Sequence, residues 1–230
     1  MKPLFAYRQQ GLVTLVAASA MLVSVVTIMV IEQANAVRAA GNRTSLTQKR
    51  LELIRQSVVN FAFIQGRLPC PAATNADGGL SDPPGSVAAC ASPVGTVPWS
   101  DLGLPRSESF DGWGRKISFR VYRPDNLNLP GLSIRVRDAA IGLVPVPAVA
   151  FVLISHGGTG YGAWLEGGSQ FANLPIAGNV RETANWQTAP PAVYHRWVYS
   201  AKTVAPSAAN HFDDEVVYMT VADLRAAALR

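Results

Sequence analysis

The residues of this chain best suited to chemistry sit in two short stretches. Ser155-His156-Gly157-Gly158 sets a hydroxyl and an imidazole ahead of two glycines, and such a loop can offer backbone N–H groups to an oxyanion. A hydrolase of that kind also needs a nucleophile elbow, yet no Gly-x-Ser-x-Gly occurs in the sequence. On a strand, adjacent side chains point to opposite faces, which separates Ser155 from His156. Nor does Gly157-Gly-Thr-Gly-Tyr-Gly continue into the Lys-Ser/Thr of a phosphate-cradling loop. A tight turn needing positive φ accounts for these glycines, and no catalytic residue is assigned. The second stretch is Asp213-Asp214-Glu215, the densest acidic cluster in the chain. Hard carboxylate oxygens suit Ca²⁺, which makes Asp213 and Asp214 candidate ligands. The EF-hand spacing is absent, and consecutive strand residues cannot all face one ion. Further ligands must come from elsewhere, for instance carbonyls of the loop beginning at His156. The plainer reading is a solvated strand start. Trp99 and Trp113, flanked by Pro and Gly, suit anchoring loops to a core better than stacking on a ligand.

The chain carries a net charge of +5, but its Lys and Arg residues are scattered and form no basic stripe with aromatics. That argues against nucleic-acid binding. There are two cysteines, Cys70 and Cys90, in one loop-rich stretch bounded by prolines. Structural zinc needs four ligands, and the three histidines lie far away in sequence. A disulfide closing a loop of about twenty residues, worth roughly 3 kcal/mol, fits better than two free thiols.

The elements that must position these residues begin with Gly11 to Ile31, an uncharged apolar run behind the basic leader MKPLFAYRQQ. At about 1.5 Å per residue it spans a hydrocarbon core of about 30 Å, whereas the apolar core of a cleaved signal is usually roughly 7–15 residues. It reads as a membrane helix retained by the protein. Lys2 and Arg8 keep the leader cytoplasmic and send the C-terminal domain across the membrane. Arg38, Arg43, Lys49 and Arg50 follow the helix but do not decide orientation, because large domains translocate largely regardless of charge. The helix then becomes amphipathic: Leu51, Ile54, Val58 and Phe61 share one face, Gly66 is the stop, and Gly41–Asn42 is the weak point.

Three segments result: a leader over 1–11, a membrane and assembly helix over 12–66, and an exported β-rich domain over 67–230. After a loop-like stretch from Arg67 to Pro105, strands are expected at Lys116–Tyr122, Leu132–Arg137, Val149–Ser155, Ala192–Ser200 and Glu215–Val221, with a short helix over Ala222–Arg230. The fold class is α+β, a long N-terminal helix packed on an antiparallel sheet with long loops.

A basic leader ending in Gly, followed by an apolar helix running amphipathically into an exported β-rich domain, resembles the type IV pilin and type II secretion pseudopilin superfamily. The resemblance implies cleavage after Gly11 by a prepilin peptidase and methylation of Leu12 as the first mature residue. Asp111-Gly-Trp113-Gly114-Arg115 resembles the Asp-Pro-Trp-Gly turn of major pseudopilins, with Gly112 where Pro is usual. Arg67-Leu-Pro-Cys-Pro-Ala, Val97-Pro-Trp-Ser-Asp-Leu-Gly-Leu, Ser155-His-Gly-Gly-Thr-Gly-Tyr-Gly and Phe212-Asp-Asp-Glu-Val-Val-Tyr are similar to segments of pilin-like proteins known by their prepilin-type N-terminus. The family's usual leader has Phe first and Glu fifth in the mature chain; here Leu12 and Val16 stand there. That Glu pairs with a neighbour's N-terminal amine during assembly, and an unpaired charge in lipid is expensive. Its absence points to a minor or tip subunit.

The resemblance thus implies a structural subunit of a pilus or pseudopilus, resident in the inner membrane with its domain in the periplasm, and no enzyme. Its partners would be the prepilin peptidase, other pilin-like subunits and an inner-membrane assembly platform. Its cofactor is none, or one Ca²⁺, since the major pseudopilins bind Ca²⁺ in a C-terminal loop. Two rivals remain. Ala34-Asn35-Ala36 has the A-x-A pattern of signal peptidase, which would leave a soluble periplasmic binding domain starting at Val37. Alternatively, the domain is a membrane-tethered periplasmic hydrolase that uses His156.

Overall fold

The structure is a computed structural model that describes residues 5–84, 90–121, 132–138, 142–171, 182–183, 185, 193–197 and 212–228; side chains are described outside 5–18, 132–147, 193–197 and 228. It forms two units, Met1–Asn42 and Arg43–Arg230.

Helix α1, Phe5–Gln65, is continuous through Gly41–Asn42. Gly in a helix costs only about 1 kcal/mol, which the flanking helix formers absorb. The helix also starts inside the leader, at Phe5 rather than Leu12, so Gly11 marks no structural boundary. In the first unit the described side chains of residues 19–42 are all exposed, Met21 to Ile31 among them. This stretch is long and apolar enough to cross a membrane. Its hydroxyls suit that setting: Ser24 Oγ donates to the Ala20 carbonyl at 2.8 Å and Thr27 Oγ1 to the Val23 carbonyl at 2.7 Å. Neither polar group is left unsatisfied in an apolar solvent.

The second unit is an α+β arrangement. Its strands are β1 (Val94–Thr96), β2 (Ser118–Val121), β3 (Leu132–Asp138), β4 (Gly142–Ser155), β5 (Val193–Trp197) and β6 (Glu215–Thr220). They form one sheet in the order β1-β2-β4-β3-β5, with β6 also on β4. All pairings are antiparallel except β3 with β5, which is parallel. This departs from the expected antiparallel set: β4 reverses the chain after β3, and the return after Ser155 lays β5 along β3 in the same direction. β4 also begins earlier than the apolar run suggests, passing through Pro145 and Pro147. Its pairing slips by a residue against both β3 and β6 near Ala148, whose φ is 56°. A bulge there accommodates prolines that cannot donate to a ladder. β1 lies in the stretch expected to be loop. Gly95 is required in it, since a Cβ would stand 2.3 Å from the Ala72 carbonyl oxygen.

The core lies between α1 and the sheet. Leu51, Ile54, Val58 and Ala62 of the helix are buried against Ile117, Phe119, Val121, Phe151, Leu153 and Met219. Each large aliphatic side chain so buried contributes roughly 1.5–3 kcal/mol. Ala62 takes the position expected of Phe61, whose ring instead lies under the Arg67 guanidinium at 5.3 Å. Cys70 and Cys90 form the expected disulfide. Trp99 packs against the core from its loop. Helix α2, Val221–Ala228, closes the described chain. Thr220 caps it: Oγ1 accepts from the Asp223 N–H at 3.0 Å and donates to Asp223 Oδ2 at 2.6 Å.

Candidate functional site

The polar residues singled out above come together in a seam that starts at α1 and ends at β6. At its first end the helix grips the Asp-Gly-Trp-Gly turn. Thr47, 0% exposed, donates through Oγ1 to the Arg43 carbonyl at 2.8 Å and accepts from the Gly112 N–H at 2.9 Å. Arg50 donates to the Phe110 carbonyl at 3.1 Å and pairs with Glu108 at 3.4 Å. Gly112 faces the helix so closely that a Cβ would sit 2.3 Å from the Arg43 carbonyl oxygen. Asp111 is the hub: Oδ1 accepts from the N–H groups of Trp113 and Arg115, both at 2.9 Å, and Oδ2 from Ser155 Oγ at 2.8 Å. Burial pushes its carboxyl above the ordinary range, against the pull of these donors.

Ser155 and His156 do point apart, as strand geometry requires. Ser155 faces Asp111, whereas His156 Nε2 meets Ser118 Oγ at 3.0 Å. Lys116–Tyr122 alternates like a half-buried strand, with Ser118 and Arg120 between its apolar residues, but β2 is buried on both faces, because the seam covers the second one. The loop after His156 is a turn. Gly157 has φ 54°, and a Cβ there would lie 2.3 Å from the Asp213 carbonyl oxygen. Arg115 donates to the carbonyls of Gly157 and Gly158, and Asp213 accepts from the Thr159 N–H and Oγ1, both at 2.8 Å. The Thr159 donor suited to an oxyanion is thus already given to Asp213.

Asp213 and Asp214 are joined by Glu182, which no sequence signal singled out. One carboxylate oxygen from each lies within 4.8 Å of the others. The Asp213 N–H donates to Glu182 Oε1 at 3.1 Å, Asn185 Nδ2 donates to Asp214 Oδ2 at 2.8 Å, and Arg120 Nη2 donates to the Asn185 carbonyl at 2.8 Å. Glu182 and Asn185 are helical and three residues apart, hence on one face; that spacing was the available clue. For the Ca²⁺ reading, which looked for instance to carbonyls of the loop beginning at His156, those of Gly157 and Gly158 accept from Arg115. For the hydrolase reading, Ser118, His156 and Asp214 follow the order of a catalytic triad. Yet Ser118 is 0% exposed and His156 Nδ1 stands 3.8 Å from Asp214 Oδ1, beyond hydrogen-bond reach.

The ionisation of these groups is displaced in opposite directions. Burial, with the charges of Arg120 and Arg115, lowers His156 to about 3. Burial, reinforced by the Asp213 charge, pushes Glu182 up to about 8, and burial with the Glu182 and Asp213 charges raises Asp214 well above its ordinary value. The raised acids hold stability that is fully present below their unfolded values, near 4, and is lost as pH climbs through the folded ones. His156 contributes the reverse: stability present above 6.5 and lost as pH falls toward about 3. In the presence of chelator the unfolding midpoint should therefore rise as pH drops from 8 to 6.5, and fall below 4.5. Thermal melts across this range check it; Glu182→Gln should flatten the upper limb, and a midpoint that instead climbs toward pH 8 contradicts the assignment.

Gly11 and Leu12 both lie inside α1 and not at a helix boundary; their side-chain surroundings fall outside the described residues. No family model matches the chain, and no curated protein or solved structure shows significant similarity to it.

Proposed function

We propose that this chain is a pilin-like structural subunit, processed after Gly11 and incorporated at low copy, as a minor or tip component, into a type IV pilus or type II secretion pseudopilus. The observation that carries this reading is the division of labour along α1. One unbroken helix exposes apolar side chains from Met21 to Ile31 and buries Leu51, Ile54, Val58 and Ala62 in the core of a β-rich domain. A signal sequence has no reason to continue into the core of the domain it exports. The Cys70–Cys90 bridge suits an oxidising compartment, in keeping with a periplasmic domain on an inner-membrane anchor. Val16, where major subunits carry Glu, favours the minor position. The prepilin peptidase, other pilin-like subunits and an inner-membrane assembly platform are the partners this role requires.

The test is the mature N-terminus, read by mass spectrometry of the protein from a host with a prepilin peptidase. Methylated Leu12 is expected, and Gly11→Val should leave the leader attached. A mature chain starting at Val37, or an unprocessed wild type, overturns the proposal.

A further inference from the structure

His156 is fully enclosed, its side chain 0% exposed, and its Nδ1 has no hydrogen-bond partner. Facing it at 3.8 Å, Asp214 Oδ1 has none either. Two lone buried polar atoms cost about 1–3 kcal/mol each unless something sits between them. Two ligands about 2.1 Å from one ion stand at most about 4.2 Å apart, so the 3.8 Å between these two atoms leaves room for a metal that both could reach. The Ser118 hydroxyl on Nε2 is the kind of outer contact that orients a ligating imidazole. Asp213 is half-exposed and gives the cluster a side open to solvent.

We propose that His156 Nδ1 and Asp214 Oδ1, with oxygens from Glu182 and Asp213, form a site for a divalent cation of the borderline class, Zn²⁺ or Mn²⁺. An imidazole among carboxylates selects such metals over Ca²⁺, which takes oxygen alone. Bound there, the ion ties the helical residues around Glu182 to the start of β6 and the end of β4.

The experiment uses the full chain in detergent micelles, stripped with EDTA and then given ZnCl₂, MnCl₂ or CaCl₂. Zn²⁺ or Mn²⁺ should raise the unfolding midpoint by about 5 °C or more at saturating metal, reversibly with EDTA, and Ca²⁺ should not. His156→Gln and Asp214→Asn should abolish the gain. Because either variant could misfold, wild type labelled with ¹⁵N-histidine supplies a second readout: Zn²⁺ should move the Nδ1 resonance of one histidine of the three. No gain with either metal, a gain with Ca²⁺ alone, or a Zn²⁺ gain that leaves every histidine resonance in place overturns the proposal.

Discussion

Asp111→Ala is expected to destabilise the second unit by about 4 kcal/mol, lowering its unfolding midpoint by roughly 10 °C. The truncation strands three donors at once: the Trp113 and Arg115 N–H groups and the Ser155 hydroxyl. Each buried donor left without a partner costs about 1–3 kcal/mol. Part of that is offset, because burying the Asp111 carboxylate is itself unfavourable, as its raised ionisation shows. Asp111→Asn separates the two contributions. Its amide oxygen can still accept from both N–H groups and its amide nitrogen can donate to Ser155 Oγ, so its cost should be less than half that of alanine. Thermal and urea melts of both variants decide the matter. Equal costs, or a loss under about 1 kcal/mol for alanine, would show that the turn is held by packing alone.

Gly112→Ala should be nearly as damaging for a different reason. The added methyl would meet a backbone oxygen, that of Arg43, at 2.3 Å, and a helix carbonyl cannot rotate away. The turn must retreat, which breaks the bond from the Gly112 N–H to Thr47 Oγ1 and leaves Thr47 facing a void. About 3 kcal/mol is expected, in the range of overpacked core positions. Gly114 provides the contrast. Its φ is +76° but nothing lies within 4 Å of a would-be Cβ, so alanine there meets only backbone strain, about 1–3 kcal/mol. Gly112→Ala should also expose the turn: amides 110–115 should lose hydrogen-exchange protection, whereas Gly114→Ala leaves them protected. A Gly112→Ala protein as stable as wild type would mean that α1 and the turn are not in the close contact described.

Local features of the fold were readable in the chain, and long-range ones were not. The Leu51/Ile54/Val58 spacing located the helix face, and the two cysteines admitted one intramolecular pairing. β3 followed from alternation, and both it and β6 lie within a residue or so of the expected ends. β1 was missed because three residues carry no period, and its Gly95 reads as a loop signal until Ala72 is seen beside it. β5 was located but not its direction, since period two is the same for parallel and antiparallel neighbours. In the seam, Asp213 and Asp214 were visible because they are adjacent. Ser118 and Arg120 were hidden by their own alternation, which looks like a solvent face unless one knows that Asn185, and the loop from His156, cover it. Glu182 had only the three-residue step to Asn185 to mark it.

The grip of α1 on the turn also fixes how the second unit would carry load. A pull along the helix from its Asn42 side would meet the Thr47–Gly112 and Arg50–Phe110 bonds before it reached the apolar face at Leu51, Ile54 and Val58. Those bonds and that face would be loaded together in shear, not peeled one at a time. Gly112, seated against the Arg43 carbonyl, then works as a mechanical stop. Tension would be handed to the sheet through Asp111 and Ser155, at the end of its longest strand.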